Sequence, residues 1–85
     1  MKIIIYSASW CSPCKSAKRF LDDMNLLYDE IDIEKNNISR EKLLEITGGH
    51  TVPQIVINDK CIGGYSELMH LNQSGKLKGI LSIEN

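Results

Sequence analysis

The sequence predicts an α/β domain built on a four-stranded mixed sheet with helices on both faces. Three observations predict it. An early β-branched run is followed by a helix-spaced stretch and a second strand pattern, two further short strands are joined by a tight turn, and a helical pattern follows a double glycine. With 85 residues, 42% hydrophobic and 25% charged, the chain has the size and composition of one folded domain over residues 1–85 with a single small core. A formal net charge of −1 supplies no broad field for a phosphate backbone, which argues against nucleic acid as a partner. No apolar run approaches the ~20 residues of a membrane span, and Ile3 to Tyr6 is too short for a signal-peptide core. The expected setting is the cytoplasm, without membrane contact, and the expected state is a monomer.

Each element has its own warrant. Lys2 to Tyr6 is a near-continuous β-branched run, as in a strand buried on both faces. From Pro13 the apolar positions Ala17, Phe20, Leu21 and Met24 recur at helical spacing, with Lys15, Lys18, Arg19, Asp22 and Asp23 opposite them and Pro13 in the first turn. Leu27 to Ile33 alternates, with Ile31 and Ile33 on one side and Tyr28, Glu30 and Asp32 on the other, as in a half-solvated edge strand. A helix over Ser39 to Thr47 carries Leu43, Leu44 and Ile46 and stops at Gly48-Gly49. Pro53 to Ile57 and Lys60 to Gly63 form a hairpin through Asn58-Asp59, with Pro53 opening its strand because it lacks a ladder donor. Ser66 is the expected N-cap of a last helix that ends near Gly75, after which Leu77, Ile80 and Leu81 dock the tail.

Three cysteines make an odd set, which suits reactivity or metal binding better than a structural framework. Trp10-Cys11-Ser12-Pro13-Cys14 puts one cysteine at the start of the first helix and the other one turn later, directly after the first strand of a βαβ unit. Unpaired N–H groups and the positive end of the helix dipole favour a thiolate at Cys11, so Cys11 is expected to attack and the less exposed Cys14 to resolve. C-x-x-C is also half of a tetrahedral zinc site. The remaining candidates Cys61, His50 and His70 show no ligand spacing, so no metal is expected. Elsewhere the ordinary readings are expected to hold. Cys61 is a small buried residue, His50 lies in a turn where it either sits near the active groove or simply faces solvent, and His70 is at the surface. Trp10 shields the disulfide and meets partners or fills the core edge, and Lys18 is the helix cation best placed to lean toward an anionic substrate.

On these residues the sequence resembles the glutaredoxins, members of the thioredoxin-fold superfamily, over nearly its whole length. The likeness is carried by the strand before W-C-S-P-C, by Ala17-Lys18, by Gly49 to Ile55 and by Ile62 to Leu68. It implies a thioredoxin-like fold and a thiol–disulfide oxidoreductase of the dithiol type, serving electron transport and cell redox homeostasis. It also implies a cis Val52-Pro53 bond facing Cys11, with glutathione as co-substrate and no tightly bound cofactor. Carried over by position, Thr51, Val52 and Pro53 pair with the cysteinyl part of glutathione, and Gly64, Tyr65 and Ser66 hold its γ-glutamyl carboxylate at a helix start. Ala8 stands where many relatives have lysine, Ser66 where many have an acidic residue, and Ser12-Pro13 follows the thioredoxin pattern. These departures weaken the side-chain handles for glutathione. Two alternatives therefore accompany this reading: a thioredoxin-like hydrogen donor, for example to ribonucleotide reductase, recharged by a flavoprotein disulfide reductase, and a dimeric iron–sulfur cluster carrier. Disulfide-containing proteins are the expected substrates.

Overall fold

The computed structural model describes residues 2–82. Its four strands are β1 (Ile3–Ser7), β2 (Asp29–Asp32), β3 (Gln54–Ile57) and β4 (Lys60–Gly63), and its helices are α1 (Ser12–Asp23), α2 (Arg40–Thr47), α3 (Tyr65–Gln73) and α4 (Lys76–Ser82). The sheet order is β2-β1-β3-β4, with β1 parallel to β2 and antiparallel to β3, and β3 antiparallel to β4. This is the predicted thioredoxin-like arrangement of a βαβ unit followed by a hairpin.

Alternation along β1 and β3 divides the core between the two sheet faces. Ile3 and Ile5 pair with Ile57 and Ile55 and pack with Ala17, Leu21, Leu68 and Leu77 beneath α1, α3 and α4. Tyr6 and Val56 face the other way, toward Leu43 of α2, and share that half with Ile33, Ala8, Cys11 and Cys14. Fully burying a side chain of this size contributes about 1.5–3 kcal/mol, so the eight buried residues of the first cluster outweigh any single polar contact. The dithiol borders the second, smaller cluster.

Local chemistry sets the element ends. Ser39 caps α2 by accepting the Lys42 N–H at 3.1 Å, and Gly48 ends that helix at φ 84°, a left-handed conformation that costs other residues energy. Asn58 and Asp59 take φ of 51° and 67°, the pair of positive values that a tight hairpin turn requires.

Four expectations need correction. The tail after Gly75 docks through Leu77, Ile80 and Leu81 as expected, but it does so as a fourth helix, with Leu77 1% exposed. Ser66 is not a cap. Gly64 precedes α3 and donates its N–H to Glu67 Oε1 at 2.7 Å, so the acid supplies the capping contact that no glycine side chain could. Strand β2 begins at Asp29, which leaves Leu27 91% exposed outside the ladder. Leu44 and Ile46 lie on the open side of α2, where only Leu43 and Thr47 are buried.

A dithiol at a helix start

Ser7, Ala8, Ser9 and Trp10 carry the chain from the end of β1 to the head of α1. Ala8 accepts the Cys11 N–H at 3.1 Å and turns Cys11 into the N-cap position. There the Cys11 sulfur accepts the Cys14 N–H at 3.2 Å, doing for the helix what a serine hydroxyl does at other N-caps. A sulfur receiving such a donor at the positive end of a helix dipole is stabilised as a thiolate when reduced. The structure joins Cys11 and Cys14 in a disulfide with their Cα atoms 5.2 Å apart. Burial separates the two thiols less than expected, since Cys11 is 3% and Cys14 0% exposed. Their surroundings separate them more clearly.

The Val52-Pro53 bond is cis, and the Cys11 sulfur lies 3.5 Å from the Val52 carbonyl oxygen. Gln54 holds this loop from below. Its side-chain amide donates to Thr51 O at 2.9 Å and lies so close to Gly49 that a Cβ there would fall 2.4 Å from Nε2. A side chain at 49 would therefore have to displace the Gln54 amide five residues away.

Trp10, Thr51 and Val52 border a groove of about 480 Å³, together with Ile33, Glu34, Ile38, Ser39, Arg40 and His50. Trp10 is 59% exposed and its indole N–H donates to Glu34 Oε2 at 3.1 Å, so the ring is oriented over the groove and is not core filler. His50 lies in the groove wall, in keeping with the expected place near it. Arg40 was missed by sequence reasoning. Its signal was faint: an arginine directly after a cap serine becomes relevant only when α2 is folded back beside residues 50–52.

The other candidate residues are distributed around this centre. Gly64 neighbours the loop, since a Cβ on it would meet Pro53 O at 3.3 Å, and this brings the start of α3 beside Pro53. Tyr65 faces α1 across a second depression that it shares with Ser12, Lys15, Arg19 and Phe20. Pro13 is exposed in the first turn of α1, and Ser66 is exposed at the second position of α3. Lys18 does not lean over the groove. Its ammonium is bound to Glu30 on β2 at 2.7 Å. Ala8 is 4% exposed and packs beside both cysteines, so a lysine there would not be a simple surface handle. Cys61 is exposed, contrary to the buried reading, because β4 is an edge strand; its thiol donates to Ile46 O at 3.7 Å. Cys61 and His70 line a cavity of about 820 Å³ among residues of β4, α3 and α4 that include neither active-site cysteine.

Comparison with known proteins agrees with this geometry. Residues 3–62 match the glutaredoxin family. The chain is 37% identical over 84 residues to Glutaredoxin 1 of Rickettsia typhi, covering 96% of this chain and 81% of that one. It is 37% identical over 78 residues to mitochondrial Glutaredoxin-2 of Pongo abelii, covering 88% of this chain but 48% of that protein, about half its length. Among solved structures, the buckwheat glutaredoxin–glutathione complex superposes with a TM-score of 0.84 at 30% identity, covering 94% of this chain and 76% of that one. Glutaredoxin from Brucella melitensis superposes with a TM-score of 0.79 at 31% identity, covering 100% and 92%.

Proposed function

Because this chain belongs to the glutaredoxin family and is a glutaredoxin-like thiol–disulfide oxidoreductase, we propose that Cys11 is its attacking thiol, Cys14 its resolving thiol and glutathione its reductant. The observation that carries the assignment is the placement of the Cys11 sulfur, capped by a backbone N–H and lying 3.5 Å from the carbonyl oxygen of Val52, a residue that lines the groove. In the first step the Cys11 thiolate attacks one sulfur of a substrate disulfide. An S–S bond forms, the substrate bond breaks, and the departing thiolate takes a proton. Cys14 then loses its proton and attacks the Cys11 sulfur, releasing the second substrate thiol and leaving the Cys11–Cys14 disulfide. Two glutathione molecules return the pair to the dithiol and leave as glutathione disulfide.

Stabilising the thiolate helps the second half of this cycle most. Lowering a thiol pKa from ≈ 8.5 to about 5 raises the thiolate fraction at pH 7 by ~30-fold, but the lower basicity weakens attack by roughly as much. The net gain is in departure, since a stable Cys11 thiolate leaves readily when its mixed or internal disulfide is opened.

Glutathione offers two carboxylates and one ammonium, and the groove offers matching groups. Arg40 supplies a cation beside Thr51 and Val52, whose backbone pairs with the cysteinyl residue. At the start of α3 the Gly64 N–H is taken by Glu67, which leaves the first-turn N–H groups of Tyr65 and Ser66 for the γ-glutamyl carboxylate. The proposal also takes the protein to act as a monomer in the cytoplasm, where thiol pools are reducing.

The test offers the oxidised protein NADPH with glutathione and glutathione reductase, or NADPH with thioredoxin reductase. Recycling by the first system is expected; recycling by the flavoprotein alone would replace glutathione in this reading. Ser66→Asp should strengthen the γ-glutamyl ammonium contact by about 0.5–1.5 kcal/mol, lowering the apparent KM for glutathione about two- to tenfold, with a smaller gain at high salt.

A further inference from the structure

One polar cluster outside the groove joins three elements. The Ser7 hydroxyl, at the end of β1 and 1% exposed, donates to Glu30 Oε2 at 2.7 Å, and the Lys18 ammonium on α1 is bound to the same oxygen at 2.7 Å. The ladder register explains the meeting. Glu30 stands opposite Ile5, whose side chain faces α1, and Ser7 lies two residues further along the same face.

Lys18 follows Cys14 by four residues on α1, and residues at that spacing are neighbours on a helix surface. A positive charge is therefore held one turn from the resolving thiol, with a carboxylate bound to it and a buried hydroxyl bound to the carboxylate. Alone, the ammonium would favour a Cys14 thiolate; alone, the carboxylate would oppose one. We propose that Glu30, clamped by Ser7, masks the Lys18 charge from the thiol pair and so keeps Cys14 protonated while Cys11 carries the thiolate. Lys18, Glu30 and Ser7 are positioning residues, and the inference rests on the assignment of Cys11 as nucleophile.

Two further observations support the mask. Hydrogen bonds from Lys18 and Ser7 hold the Glu30 carboxyl below the usual glutamate range, so it is ionised throughout the neutral range in which the thiols exchange. Cys14 is also fully buried in an apolar cluster with Ala8, Ile33, Leu43 and Val56. The other titratable or charged groups on the surrounding elements are Tyr6 on β1, Lys15, Arg19, Asp22 and Asp23 on α1, Asp29 and Asp32 on β2, Glu34 after it, Arg40, Glu41, Lys42 and Glu45 on α2, and His50. Asp32 accepts the N–H groups of Glu34 and Lys35, and Glu34 accepts the Trp10 indole N–H. On α1, Lys18 is the cation at i+4 spacing from Cys14, and its charge is paired with Glu30.

The test titrates Cys14 alone, in full-length Cys11→Ser/Cys61→Ala protein, by thiolate absorbance and by alkylation rate against pH. Glu30→Gln should lower the Cys14 pKa by about 0.5–1, since a unit charge at this range is only partly screened, and Lys18→Met should raise it by a similar amount. The double variant should return close to the parent, Lys18→Arg should preserve the parent value, and Ser7→Ala should shift it in the Glu30→Gln direction. Shifts of the same sign in Glu30→Gln and Lys18→Met, or none in variants that melt cooperatively, would overturn the inference. If any one variant does not fold, the remaining signs still decide it. Failure of the underlying assignment reads differently: a Cys11→Ser chain would still attack mixed disulfides.

Discussion

Cys11 differs from an ordinary cysteine through one backbone N–H, donated by Cys14 at 3.2 Å, and through its place at the head of α1. Cys14 is as buried as Cys11, but it lies inside the first turn, where it gives its N–H to the Cys11 sulfur and occupies no cap position. Cys11→Ser should therefore abolish disulfide exchange. Cys14→Ser should retain attack on glutathione mixed disulfides and lose reduction of protein disulfides, because the mixed intermediate cannot be opened internally. Turnover with a glutathionylated peptide and with an intramolecular protein disulfide checks both; equal loss in the two assays for Cys14→Ser would contradict the division of labour. Both cysteines were legible in the sequence because C-x-x-C after a strand and before a helix carries its own geometry. Arg40 and Gln54 were not, because Arg40 shares the groove with residues 50–52 only once distant segments are folded together, and the bond from Gln54 to Thr51 O is one that local spacing does not reveal. Cys61 was misjudged for a related reason, since a position on a strand does not say whether that strand is an edge.

Between elements, the edge strand β2 is tied to α1 by Glu30 and Lys18, with Ser7 joining them from β1, and Tyr28, just before β2, adds a side-chain hydrogen bond to Asp22. The alternation of Tyr28, Glu30 and Asp32 suggested a solvated face. In the fold that face lies beside a helix. The folded state depresses the Glu30 pKa, chiefly through the Lys18 hydrogen bond, so the stabilisation is present above the unfolded glutamate value and is lost as pH falls through the lower folded value. Thermal unfolding from pH 7 downward should therefore show an acid loss below about pH 4.5 that Glu30→Gln reduces. The difference should be small, because Glu30's side chain is 40% exposed and solvent screens the pair. A Glu30→Gln curve parallel to wild type through that window would show that the link does not contribute to stability.

For the whole molecule, the first core cluster depends on a residue from each end of the chain, Ile3 on β1 and Leu77 on α4. A domain of this size has a net stability of about 4–13 kcal/mol, while deleting a buried leucine side chain costs about 2–5 kcal/mol. Leu77→Ala should therefore lower the melting temperature by about 10 °C or more. It should leave the KM for glutathione unchanged below the transition, because α4 does not border the groove of Trp10, Arg40 and Thr51. Differential scanning calorimetry with an assay at low temperature would check both halves, and a raised KM in folded protein would show that the tail communicates with the site.

By itself, the sequence determined the α/β class, the element order of a βαβ unit followed by a hairpin, and the dithiol at a helix start. These rest on interactions between near neighbours: apolar periodicity, the Gly48 stop, the Asn58-Asp59 turn and the four-residue reach of C-x-x-C. The tertiary structure alone decided that Ala8 is buried, that Cys61 is open, that the tail is a helix, and that Lys18 is held by Glu30 rather than leaning over the groove. Each of those depends on which residues from distant segments come to share a face. That is set by sheet register and by the packing of α1, α2 and α4, which no local window of sequence contains.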